Sequence, residues 1–174
     1  MLDGNLRRMK NGIWAKRSVA LILILLAVWL TRLDRYSFTH DTSFTTISGE
    51  TITLKALQGK PVLVTFWATS CGNCIKEIPD LVALYRQFHP MGLEIIAIAM
   101  AYDPPNQVVA MANEQQLPYP VVLDLSSGHA KAFGNIWGTP TTLLLDPKGI
   151  VAKRKVGRFD LADMQVRIQQ LLKG

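Results

Sequence analysis

Two cysteines and three histidines are all the thiol and imidazole ligands in the 174 residues. A structural zinc site takes four ligands, usually two cysteine pairs or a cysteine pair with a close histidine pair. Here Cys71 and Cys74 form one C-x-x-C, while His40, His89 and His129 are scattered through linker and helical segments. No metal ligand set is therefore assigned. Internal repeats and low-complexity tracts are also missing, which excludes a repeat array. Excess charge is missing from most of the chain. The formal net charge is +6, but residues 1–36 hold seven basic against two acidic side chains, and residues 37–174 hold twelve against eleven. So neutral a body offers no basic face, and nucleic acid is not an expected partner. What remains is the composition of a folded protein, 49% hydrophobic and 18% charged, long enough for one domain and an appendage.

The appendage is N-terminal. SVALILILLAVWLT, residues 18–31, is an uncharged, mostly apolar run between Lys16-Arg17 and Arg32. As a helix it reaches about 21 Å against a bilayer core of about 30 Å, a gap that local thinning and snorkelling of Arg17 and Arg32 can partly close. A cleaved signal peptide has an apolar core of this length, but LTRLDRYSF follows with charges and no small-x-small site. An uncleaved signal anchor is the preferred reading; a cleaved signal and a buried helix are the alternatives. Arg7, Arg8, Lys10, Lys16 and Arg17 precede the run and only Arg32 and Arg35 closely follow it, which places the N-terminus in the cytoplasm. The expected organisation is a cytoplasmic basic segment (1–17), a transmembrane anchor (18–31), a tether (32–41) and a globular domain (42–174). That domain would lie in the periplasm, held at the inner membrane by a single pass.

SFTTISGETITL reads as a hairpin around Ser48-Gly49. VLVTFW, residues 62–67, reads as a central strand buried on both faces. A helix is expected from Cys71, with Ile75, Ile78, Leu81, Val82, Leu84, Tyr85 and Phe88 at helical spacing and a kink at Pro79. LEIIAIAM (93–100) is a second buried strand. Residues 104–116 form a helix, 120–123 a short strand and 126–133 another helix. Thr141–Leu145 and Ile150–Val156 flank the turn Asp146-Pro147-Lys148-Gly149, and a last amphipathic helix opens at Asp160. The order predicts an α/β fold, a central mixed sheet with helices on both faces.

Within it, WATSCGNC (67–74) holds both cysteines. A structural disulfide across one helical turn would constrain the unfolded chain little. A redox couple fits better. A cysteine leaving a strand and opening a helix meets unpaired N–H groups and the positive end of the helix dipole, which lower its pKa. Cys71 is then the attacking thiol and Cys74, one turn inside, the resolving thiol. Gly72 and Asn73 between them would tune the redox poise.

WATSCGNCIKEIP after VLVTFW, with GTPTTLLLD about 65 residues later, resembles the thioredoxin superfamily. More closely, it is similar to the membrane-anchored TlpA/ResA/CcmG branch of thiol:disulfide oxidoreductases, over roughly residues 42–173. The resemblance implies a thioredoxin-like fold and no cofactor beyond the Cys71–Cys74 disulfide. It implies that Pro140 is cis and beside that disulfide, and that Thr139 offers its backbone to a substrate. It also implies that Glu77 shuttles a proton, that Trp67 and Trp137 pack around the site, and that residues 101–135 match the branch's insertion. Partners would be disulfide-bearing client proteins, such as apocytochrome c, and a DsbD/CcdA-type membrane thiol-electron carrier, making the chain a reductase; in an oxidising compartment the same motif can act as an oxidase, with potential and partner deciding. One departure stands out: many members carry tryptophan where this chain has Ser70, which alters the surface that meets partners. Two other functions compete. A peroxiredoxin-like peroxidase would use Thr69-Ser70-Cys71, one residue short of T-x-x-C. A copper chaperone would use both cysteines as soft ligands but lacks a well-placed histidine.

Overall fold

The computed structural model describes Ile22 and residues 42–173. The chain divides into two units, Met1–Tyr36 and Ser37–Gly174. In the first only Ile22 is described, a helical and exposed residue. The expected basic segment, anchor and tether thus lie outside the described residues, Ile22 apart. No helix among the described residues is long and apolar enough to cross a membrane.

The second unit opens with the hairpin: β1 (Ser43–Thr45) pairs antiparallel with β2 (Thr51–Thr53). Its turn is closed by the Thr46 hydroxyl, which accepts from Glu50 N at 3.1 Å, and by Gly49 at φ +86°, a conformation that costs glycine least. A 3₁₀ turn at Leu54–Leu57 follows, capped by Thr53. The main sheet then takes β3 (Val62–Trp67), β4 (Glu94–Ala99), β5 (Val121–Leu123), β6 (Thr141–Leu145) and β7 (Val151–Val156) in the order β5-β4-β3-β6-β7. β3 is parallel to β4 and antiparallel to β6, with Phe66 opposite Thr141. The sheet is mixed, as the order of its elements predicts.

β3 is buried at all six positions, so its side chains alternate between two cores. Leu63 and Trp67 join Leu81, Leu84 and Phe88 of α1 (Gly72–Phe88), Val108 and Ala112 of α2 (Pro105–Glu114), and Met164 and Ile168 of α4 (Leu161–Lys173). Val62, Val64 and Phe66 face Phe44, Ala130, Phe133 and Ile136 instead. Phe133 meets the Phe66 ring edge-on at 5.6 Å, and each fully buried phenylalanine contributes about 1.5–3 kcal/mol. The two faces are unequal: three longer helices cover one, while the hairpin and the five-residue α3 (Gly128–Ala132) cover much of the other. Thr65, the polar member of VLVTFW, meets Thr142 across the strands at 3.0 Å, which satisfies both buried hydroxyls.

Both sheet edges are modified. Along β5 the hairpin turn adds an antiparallel bridge, Thr46 to Val122, with Ile47 N donating to Val121 O at 2.8 Å. At the opposite edge β7 carries Lys153, Arg154 and Lys155 in a row. The β6–β7 turn is tied by Asp146 Oδ1, which accepts from Lys148 N (2.9 Å) and Ile150 N (2.8 Å). α1 runs unbroken through Pro79.

Candidate active site

At the end of β3 the chain leaves the sheet through Ala68-Thr69-Ser70 and enters α1. Cys71 is the N-cap, with extended backbone, and its Sγ accepts from Cys74 N at 3.2 Å. Cys71 and Cys74 are joined as a disulfide. They are not equivalent. Cys74 is 3% exposed, while Cys71 is partly exposed and Ser70, Gly72 and Asn73 around it are exposed. A partner thus reaches Cys71 and not Cys74.

Glu77 lies one turn beyond Cys74, only 1% exposed. Its Oε1 accepts from Phe159 N at 2.9 Å. Burial pushes its pKa up from 4.5 to about 7, against the lowering effects of the Phe159 N–H and the Arg158 guanidinium, while Asp80 pushes the same way as burial. Arg158 Nη2 is itself paired with Asp80 Oδ2 at 3.0 Å. Beside Glu77 lies a cavity of about 10 Å³ lined by Trp67, Cys74, Glu77, Leu117 and Tyr119, among others, room for about one water. Among the described residues the Trp67 Nε1–H, buried there, has no hydrogen-bond partner. Burial, with the Glu77 charge, raises the Tyr119 pKa. A neutral-range carboxylic acid beside a buried cysteine can exchange a proton with it at ordinary pH.

Thr139-Pro140 is a cis peptide, at the entry to β6 and therefore at the same end of the sheet as the exit from β3. Pro140 is buried. Thr139 Oγ1 meets Tyr102 Oη at 3.3 Å, and among the described residues neither Thr139 N–H nor C=O has a hydrogen-bond partner. Trp67 is buried against the Cys74 side of the core. Trp137 is a correction: it is 82% exposed and does not pack as expected, because the neighbouring Ile136 takes the inward position.

One residue went unnoticed in the sequence. Asp103, just past β4, is 5% exposed and accepts from Thr69 N at 2.7 Å and Thr69 Oγ1 at 2.5 Å. It latches the loop that presents Cys71. It also commits the Thr69 hydroxyl, which the peroxidase reading would need at the cysteine. Only its place two residues before Pro105, at a strand-to-helix turn, hinted at this. Asp103→Ala should lower stability by about 2–3 kcal/mol, the cost of losing hydrogen bonds to a charged acceptor, readable in urea unfolding of the oxidised protein. For the copper reading, His89 is engaged with Leu93 O at 3.0 Å and stacked on Tyr85, and His129 lies against Phe44.

Comparison with known proteins agrees with this geometry. The AhpC/TSA family matches residues 37–154. The thiol-disulfide oxidoreductase ResA of Halalkalibacterium halodurans is 35% identical over 111 residues, which cover 64% of this chain and 62% of that protein. The thioredoxin-like protein YneN of Bacillus subtilis is 32% identical, covering 74% of this chain and 75% of that one. Among solved structures, a thiol:disulfide interchange protein of Chlorobium tepidum superposes with a TM-score of 0.71 at 28% identity, covering 78% of this chain and 96% of that one. The chain belongs to the AhpC/TSA family, in its thioredoxin-like group of thiol-disulfide oxidoreductases.

Proposed function

We propose that this chain is a disulfide reductase for client proteins outside the cytoplasm, cycling between the Cys71–Cys74 dithiol and disulfide. The observation that carries the reading is the unequal access of the two sulfurs. In the reduced chain the start of α1 favours the Cys71 thiolate. That thiolate attacks a client disulfide; the Cys71–client bond forms, the client bond breaks, and one client sulfur leaves as a thiolate that takes a proton. Cys74 then gives its proton to Glu77 and attacks Cys71 Sγ. The second client thiolate is released and takes up a proton as Glu77 gives its own back to solvent, and the Cys71–Cys74 disulfide is restored. Two electrons and two protons have passed to the client. A dithiol carrier of the DsbD/CcdA type returns them. Thr139, with unpaired backbone groups beside cis-Pro140, holds the client segment, and Trp67 walls off Cys74 and Glu77. Ser70 forms part of the surface that meets the client, while Gly72 and Asn73 set the potential.

The run at 18–31 is the basis for tethering the domain, residues 42–174, to the periplasmic side of the inner membrane. Haem-maturation proteins such as apocytochrome c are the proposed clients. In Cys74→Ala the second attack is removed, so clients should accumulate on Cys71 as mixed disulfides recoverable from cells. Recovery of cytochrome c maturation proteins supports the pathway; the absence of any mixed disulfide removes the exchange reading.

A further inference from the structure

Three segments meet at the end of the sheet that carries the disulfide. Residues 67–74 follow β3, residues 100–103 follow β4, and residues 134–142 lead into β6. They are cross-tied: Met100 N donates to Trp67 O at 3.0 Å, Thr69 is latched by Asp103, and Tyr102 meets Thr139. The first and third segments contain no charged residue. The carboxylate in the second, Asp103, is turned inward onto Thr69. On this end of the sheet, where the neighbouring Arg158 and Asp80 are paired with each other, two large rings stand in solvent, Tyr102 at 62% and Trp137 at 82% exposure. Neither makes a ring contact among the described residues.

An exposed tryptophan has about 150–250 Å² to bury and needs few ordered rotamers to bury it. Tryptophan and tyrosine are also the residues that most often dominate binding energy at interfaces. Here both stand on segments at the end of the sheet that carries the one sulfur a client can reach. Ser70, small and exposed, leaves the approach between them open. We propose that Tyr102 and Trp137 form an aromatic clamp that selects extended client segments whose reacting cysteine is flanked by an apolar residue. An acidic or basic flank would lose hydration against rings that offer no counter-charge. The inference rests on the exchange reading above and adds the substrate class to it.

The test uses the reduced full-length chain and synthetic peptides, each with one internal disulfide, identical except for leucine, aspartate or lysine before the first cysteine. A small hydrophilic aliphatic disulfide, bis(2-hydroxyethyl) disulfide, serves as a reference. The leucine peptide should react at least about ten times faster than the aspartate and lysine peptides. In Tyr102→Ala/Trp137→Ala its rate should fall about ten- to a hundredfold, as for loss of two interface anchors, with reaction of the small disulfide unchanged. Tyr102→Phe/Trp137→Phe should restore most of the peptide rate. Equal rates for the three peptides, a preference for lysine through cation–π attraction, or an equal loss on peptide and small disulfide would each overturn the clamp. A wild-type chain that reduces none of the disulfides would instead remove the exchange reading itself.

Discussion

Cys71→Ala is expected to reduce client turnover to the uncatalysed background and to form no mixed disulfide. Cys74 remains in that variant, yet at 3% exposure it has no path to a client sulfur. The alanine also removes the helix cap, since Cys71 Sγ accepts from Cys74 N, which costs about 1 kcal/mol. Cys71→Ser separates the two effects. A serine oxygen caps the same position, so the variant should unfold cooperatively near the reduced wild type and still be inactive. Turnover assays beside thermal unfolding of both variants read this out. Residual turnover in Cys71→Ser would transfer the nucleophile's role to Cys74.

The second large effect belongs to Glu77→Gln. In the unfolded chain Glu77 ionises near its ordinary value of 4.5; in the folded chain it ionises near 7. Between these values the folded state holds a proton that the unfolded state has lost, so this residue makes stability fall as pH rises from 4.5 to about 7. The interval amounts to about 3 kcal/mol. Glutamine retains an acceptor for Phe159 N and cannot ionise. Its unfolding free energy should therefore change less between pH 4.5 and 8 than the wild type's, by about that amount, and above pH 7 it should be the more stable protein. Activity should move the other way. Without a proton acceptor beside Cys74, resolution of the mixed disulfide should slow about a hundredfold or more, and the inflection near pH 7 in its rate should vanish. Paired urea titrations at two pH values and stopped-flow rates across pH 5–9 measure the two halves.

Most of the sheet was legible because its strands announce themselves locally. VLVTFW and LEIIAIAM are runs that only a doubly buried strand uses well, and the turns at Ser48-Gly49 and 146–149 carry their own chemistry. The C-x-x-C was equally legible, since strand, small residues and helix follow within ten positions. Less legible was whatever depended on contacts distant in the chain. Asp103 reads as an ordinary loop aspartate until Thr69, 34 residues earlier, is brought to it. Trp137 reads as packed around the site by resemblance, but Ile136 claims the inward position. The predicted coverage of both sheet faces by helices is uneven for a related reason. Phe44 packs into the core, so the hairpin occupies ground where a helix would otherwise lie.

The two altered sheet edges bear on the colloidal fate of the domain. An open strand edge invites pairing with another molecule, and crowding strengthens the invitation. On the β5 side the hairpin's bridge to Val122 occupies part of the template. Along β7, Arg154 and Lys155, beside a Lys153 that is paired with Asp163, put positive charge on the open edge, where like charges brought opposite one another repel. An exchange reactant that stays dispersed in this way meets its clients one at a time, and its reactive sulfurs are not sequestered in strand-paired assemblies of its own kind.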